Sequence, residues 1–277
     1  MRCAESAANR AIAINVVVIF GGAMNIIFSS CGNDSVALIR WAIEHDLDDL
    51  VVAYSDTKWA AESWVERVER VERVVVKHGG KFVKIESEGF ANLARRKKAF
   101  PANGMAFCSY ELKIKPAMEW LETIDPEKAA VCYVGVMRIE SEARKNWPEK
   151  IEASPNHGGR QLVSPLARLS LAERDELLDR AGFDVLPHRS MECTPCVNAT
   201  RKDLQNLDDI DVIKVVNLEN ELGVGERSGK PKYMFRSHRM GGAKGMLQVK
   251  KRADQGGGKF SELQEDMFGC DSGFCGI

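Results

Sequence analysis

The stretch Ile26-Ile27-Phe28-Ser29-Ser30-Cys31-Gly32-Asn33-Asp34-Ser35-Val36-Ala37-Leu38-Ile39 decides how the chain folds. A short apolar run predicts a buried strand, small residues follow, and Asn33-Asp34-Ser35 opens an apolar pattern of helical period. Backbone N–H groups at such a turn, together with the positive end of the helix dipole, cradle a phosphate. The same spacing equally suits an ordinary strand-to-helix turn with an Asp or Ser cap.

The chain has 277 residues, 44% of them hydrophobic, enough to bury a full core in one α/β domain with an appended segment. A formal net charge of −1 argues against a nucleic-acid coat over the whole surface but leaves room for a local basic face. No apolar run is long enough to span a bilayer, and the first residues lack the pattern of a secretory signal, so a cytoplasmic protein with no membrane partner is expected. In that compartment eight cysteines point to metal binding or redox chemistry before disulfides. The organisation expected is a leader over 1–14, an α/β domain over 15–185 and a cysteine-bearing basic segment over 186–277.

Val16 to Phe20 and Met24 to Phe28 read as apolar strands around a glycine turn. Leu50 to Tyr54 is a further buried strand ending at Ser55-Asp56-Thr57, where open α/β sheets place ligand-binding side chains, so Asp56 is a candidate nucleotide or metal contact or else an N-cap. Trp64, Val68, Val71 and Val75 recur at helical spacing and predict a core-facing helix. Lys81 to Ile85 alternates as a strand, and Glu86 to Phe107 reads as a loop whose run Arg95-Arg96-Lys97-Lys98 is either solvated surface or a substrate contact. Ala129 to Val134 is another buried strand, delivering Arg138 with Glu140 and Arg144 behind it. A helix over Leu171 to Ala181 stops at Gly182. Between Arg227 and Lys259 cations stand against Asp254 alone, which favours a polyanionic partner.

Three segments carry a resemblance. Ser30 to Ser35 resembles the Ser-Gly-Gly-x-Asp-Ser pyrophosphate loop of the adenine-nucleotide α-hydrolase superfamily, with Cys31 in place of the first glycine, a mild change where φ is negative. Cys108-Ser109-Tyr110-Glu111-Leu112-Lys113 resembles the Cys-Thr-x-x-Leu-Lys element of PAPS-reductase-like proteins. Gly135 to Arg144 resembles that family's Gly-x-Arg-x-x-Glu-Ser-x-x-Arg segment. The resemblance runs from about Asn15 through Cys196.

Cys193 and Cys196 have the spacing that lets two thiolates reach one metal, and the pair is incomplete by itself. Supplements are Cys108, which the resemblance brings to the same mouth of the sheet, and Cys270 or Cys275 in the tail, as a further ligand or as a mobile sulfur-handling thiol. A 4Fe-4S cluster, a zinc ion and a dithiol redox pair are all compatible with these cysteines. Cys132 reads as a core residue and Cys31 as space-filling.

The resemblance implies a HUP-like, Rossmann-like α/β fold with a parallel five-stranded sheet and helices on both faces. It implies that Ser30, Cys31, Gly32, Asn33, Asp34, Ser35, Asp56 and Arg138 bind ATP or another adenine nucleotide with Mg2+, that Asp34, Lys113, Arg138 and Cys275 take part in catalysis, and that Cys108, Cys193, Cys196 and Cys270 hold the metal. The activity implied is that of a PAPS reductase-family enzyme of the PP-loop ATP pyrophosphatase type, coupling a nucleotide to sulfur transfer or reduction. The alternatives are a true PAPS or APS reductase, or a non-catalytic nucleotide- or nucleic-acid-binding module with structural zinc. The partners implied are an adenine nucleotide, a nucleic-acid or small-molecule sulfur acceptor, an electron- or sulfur-donor protein, and a second copy of the chain in a homodimer.

Overall fold

The computed structural model describes residues 23–102, 105–226, 228–235 and 244–256. The expected leader, the strand at Val16 to Phe20 and the tail cysteines Cys270 and Cys275 lie outside the described residues.

The elements run β1 (Asn25–Phe28), α1 (Asn33–Glu44), β2 (Leu50–Asp56), α2 (Glu62–Lys77), β3 (Lys81–Glu86), α3 (Phe90–Lys97), α4 (Phe107–Ser109), a π-helical segment (Tyr110–Ile114), α5 (Lys115–Ile124), β4 (Val131–Tyr133), β5 (Lys150–Ser154), β6 (Arg160–Val163), α6 (Leu171–Arg180), α7 (Arg201–Gln205), α8 (Asp209–Leu222) and α9 (Met246–Asp254). The sheet has six strands in the order β3-β2-β1-β4-β6-β5, not the five expected. It is mixed, because β5 pairs antiparallel with β6 while the other pairings are parallel. The extra edge strand, Lys-Ile-Glu-Ala-Ser, is too polar for an apolar-run reading: it buries one face at most, and only Ser154 is fully buried.

Strands covered on both faces must be apolar along the covered stretch, as Ile26 to Phe28 of β1 and Leu50 to Tyr54 of β2 are. Ile27, Val52 and Tyr54 join Val36 and Leu38 of α1, Trp64, Val68, Val71 and Val75 of α2, and Leu177 and Leu178 of α6 in one core. Ile26, Phe28, Val51, Ala53, Cys132 and Leu162 point the other way, onto Ala117 and Leu121 of α5. A further apolar cluster joins Phe90 and Leu93 of α3, Leu112 of the π segment, Leu204 of α7, Val215 of α8 and Val249 of α9. The sequence reading missed α7 to α9. Thr200 and Asp208 cap α7 and α8 by accepting from Asp203 N–H and Asp211 N–H, a local signal legible in the chain.

The segment expected as a loop from Glu86 to Phe107 contains α3. Its basic run is committed to ion pairs: Arg95 with Glu221, Arg96 with Glu88 and Glu111, Lys97 with Glu111, and Lys98 with Glu226. That is the solvated-surface reading. Among the described residues no helix is long and apolar enough to cross a membrane.

Candidate functional site

The chain leaves β1 toward β2 and β3 on one side and returns to β4 on the other, so the sheet order reverses beside β1. In open α/β sheets ligands bind outside the strand ends at such a switch point. The Ser30 to Ser35 loop sits there, at the carboxyl end of β1.

The loop is held by its own hydroxyls. Cys31 N–H donates to Ser29 Oγ at 3.0 Å, Gly32 N–H to Ser30 Oγ at 3.3 Å, and Ser30 N–H to Ser35 Oγ at 3.3 Å. Gly32 is the N-cap of α1 and no side chain caps the helix, so the Asp or Ser cap is not what holds this turn. Asn33 is turned away from the helix axis, exchanging hydrogen bonds with the backbone of Leu186 at 3.0 and 3.1 Å. Cys31 has φ of +61°, so the condition under which the replacement of the glycine would be mild is not met. The side chain is fully buried in the core with α1 and α2, and burial pushes its thiol up to about 12. It fills space rather than presenting a nucleophile.

Across the switch point Gly135, just beyond β4, lies so close to the loop that a Cβ there would stand 3.0 Å from the Asp34 carbonyl oxygen. Asp34 accepts from Arg174 Nη1 of α6 at 3.0 Å. Glu140 lies beside Asp34 and pairs with Arg144. Burial first, and then the Asp34 charge, raise the Glu140 pKa from 4.5 to about 7. Arg138 points elsewhere: Nε donates to the Trp147 carbonyl at 2.8 Å and Nη2 reaches Glu149 at 3.4 Å. Arg174 and Glu140 thus flank the loop carboxylate, with Arg144 paired to Glu140. Nothing in the sequence marks Arg174, which lies 140 positions from its partner.

Asp56 closes β2 and accepts from Lys58 N–H at 2.8 Å, a local turn rather than the N-cap of α2, which is Ala61. From this point the chain is laced to the cysteine loop: Thr57 Oγ1 donates to the Glu192 carbonyl at 2.6 Å, Thr194 N–H to the Trp59 carbonyl at 2.8 Å, and Ala61 N–H to the Met191 carbonyl at 3.0 Å. Those bonds carry Cys193 and Cys196 to the carboxyl end of the sheet. Cys108, in the first turn of the helical run, joins Cys193 in the cluster built on Phe90 and Leu112.

The three thiols interact. Burial, and then Cys196 and Cys108, push the Cys193 pKa well above its ordinary value. Burial and then Cys196 raise that of Cys108 to about 11. Asn198 N–H donates to Cys196 Sγ at 3.4 Å. On the π segment, Lys113 Nζ pairs with Glu192 Oε1 at 2.6 Å, almost wholly buried. Burial opposes the Lys113 charge, but Glu192 and Cys193 outweigh it and its pKa is raised. Among the described residues no group of three or more His, Cys, Asp or Glu side chains is arranged to hold a metal ion. Cys132 lies in β4, fully buried, with its thiol raised to about 12 by burial, as expected of a core residue.

Fold and site together define an open α/β protein with a small-residue loop at its switch point and a cysteine trio beside it. No protein-family model and no curated protein matches the chain. Among solved structures it is similar to the phosphoadenylyl-sulfate (PAPS) reductase from Candida auris, phosphate complex, with a TM-score of 0.40 and 12% identity over 58% of this chain and 74% of that chain.

Proposed function

We propose that the protein is a PAPS-reductase-like adenine-nucleotide α-hydrolase that binds ATP or a sulfonucleotide on the Ser30 to Ser35 loop and couples it to sulfur transfer or reduction at Cys108, Cys193 and Cys196. The observation that carries the reading is the position of a loop without a side-chain cap, at the N-terminus of a helix and at the switch point of the sheet. The residues of the loop, and those around Lys113 and Arg138, supply the nucleotide class through their resemblance to the family.

The N–H groups of the first turn of α1 would meet phosphate oxygens, those of Ser30, Cys31 and Gly32 being taken up by the loop's hydroxyls, and the α1 dipole would favour the charge. Asp34 is fixed by Arg174, and Glu140 by Arg144, so both carboxylates already have cationic partners. They do not form a vacant cation site, and Mg2+ would take most of its ligands from the nucleotide phosphates. Lys113, held by Glu192, keeps a positive charge beside the thiols and favours their thiolate forms.

The donor set suits a thiophilic centre: the thiols are mutually repelling when ionised, and Cys196 Sγ accepts a backbone N–H bond. Cys108, Cys193 and Cys196 do not by themselves form a ready-made metal site among the described residues, so a 4Fe-4S cluster on them would need a tail cysteine as a further ligand. A bound cluster supplies electron transfer or a place for a sulfur atom. Zinc on the same thiolates would instead support the binding-module reading.

Anaerobic purification with iron, zinc and acid-labile sulfide analysis separates these, and titration with ATP, APS and PAPS names the nucleotide. Asp34→Ala is expected to weaken nucleotide binding without unfolding the protein. Unchanged affinity for all three nucleotides in the folded variant overturns the loop assignment.

A further inference from the structure

Beside the loop, between α2 and the segment from Phe183 to Met191, lies a pocket of about 350 Å³ that the nucleotide reading does not use. Its walls include Trp64, Arg67 and Arg70 of α2 with Phe183, His188 and Met191 of the segment that crosses over them. The volume falls at the lower end of small-ligand sites.

Arg67 is the centre of the pocket. Nε donates to the Cys31 carbonyl at 2.7 Å, and the guanidinium stacks on Trp64 at 5.6 Å and on Phe183 at 5.1 Å. Its Nη2 is buried with no hydrogen-bond partner among the described residues. Orphaned buried donors of this strength are rare, because leaving a charged group's N–H unsatisfied costs more than a neutral one. Arg70 also lies over the Phe183 ring, at 4.4 Å, and its Nη2 donates to the Gly182 carbonyl. His188 Nδ1 bonds the Arg189 carbonyl at 2.8 Å. Glu66 in the wall and Asp184 nearby are the acids that face this cationic pair. Burial depresses the Arg67 pKa and the Arg70 charge adds to it, a strain that an incoming anion relieves.

We infer that this pocket is a binding site for a tetrahedral oxyanion, a phosphoryl or sulfuryl group, gripped by the Arg67 Nη2 edge and by Arg70. A planar guanidinium whose Nη2 hydrogens are unspent suits such an oxygen. Stacking on Trp64 and Phe183 fixes the fork in advance, so little side-chain freedom is lost on binding. The site stands whether or not the Ser30 to Ser35 loop binds a nucleotide.

The test is a calorimetric titration of the full chain with inorganic phosphate, against chloride at equal ionic strength. The wild-type protein is expected to bind phosphate and to release it to sulfate. Arg67→Met, which keeps an apolar stem on the rings, should weaken phosphate about tenfold or more, the worth of a lost charged hydrogen bond. Arg70→Gln should weaken it too, and because Arg70 is exposed, that variant decides the matter if Arg67→Met fails to fold. Titration with 5′-AMP and with adenosine 3′,5′-bisphosphate identifies the source: tighter binding than phosphate, sensitive to Arg70→Gln, supports a nucleotide-borne group, and equal binding supports the free anion. Undetectable phosphate binding, or unchanged affinity in folded Arg70→Gln, overturns the assignment.

Discussion

Lys113 Nζ lies 2.6 Å from Glu192 Oε1, and this one pair ties the π-helical segment to the loop that carries Cys193 and Cys196. π turns recur at functional sites because they displace a side chain from the regular helical path. Here the displaced stretch holds Lys113 against a carboxylate 79 positions further along the chain. Removing one partner leaves the other buried and unpaired, so Lys113→Met and Glu192→Gln should each destabilise the protein by about 3–5 kcal/mol. The double variant should lose clearly less than the sum. Urea melts of the four proteins measure it, and additive losses would show that the pair is not coupled.

The cysteines should separate into two classes. Cys31 and Cys132 are sealed in the core with pKa values pushed to about 12, so they should resist thiol reagents in the folded protein at neutral pH. Cys108, Cys193 and Cys196 are half-buried and should lose reactivity when metal or cluster is bound. Replacing Cys193 or Cys196 by Ser should abolish iron binding, whereas Cys132→Ser should leave it intact. Retention of full iron content in the Cys193→Ser protein would remove that residue from the ligand set.

Cys31 at positive φ inverts a familiar order of stability. Glycine normally destabilises relative to alanine, but a left-handed position penalises any Cβ by about 1 kcal/mol. Both Cys31→Gly and Cys31→Ala lose the buried sulfur, and only the glycine variant loses the strain. Cys31→Gly should therefore be the more stable of the two by about 0.5–1 kcal/mol. Thermal melts of the pair read the difference, and a more stable alanine variant would place Cys31 outside the left-handed region.

Glu140 makes stability depend on pH in a defined direction. Its folded pKa is raised to about 7 from 4.5, so the unfolded chain ionises first and folding is favoured by the protonated form. Its contribution is fully present below about 4.5 and is lost as pH rises to about 7. Glu140→Gln should remove that slope and gain on the order of 1–3 kcal/mol over wild type at pH 8. Denaturant midpoints at pH 5 and pH 8 check this, and an unchanged slope in the variant would mean another group carries it.

Much of this molecule is written locally in the chain. Ile26 to Phe28 and Leu50 to Tyr54 are apolar at every position because both their faces are covered, and the Trp64-Val68-Val71-Val75 stripe faces the core as its period requires. The strand-loop-helix at Ser30 to Ser35 and the stop at Gly182, with φ of +78°, are set by residues next to one another. The polar edge strand β5 was not legible, since a strand buried on one face at most and bulged near Ser154 lacks both the apolar run and clean alternation. Only the tertiary structure decided which charges meet. It joined Arg174 to Asp34 and Lys113 to Glu192, turned Arg138 toward Trp147 and Glu149, and left Arg67 Nη2 without a hydrogen-bond partner among the described residues. Propensity and period act over a few residues, whereas an ion pair or an orphaned donor depends on where distant elements pack, and no local rule encodes that distance.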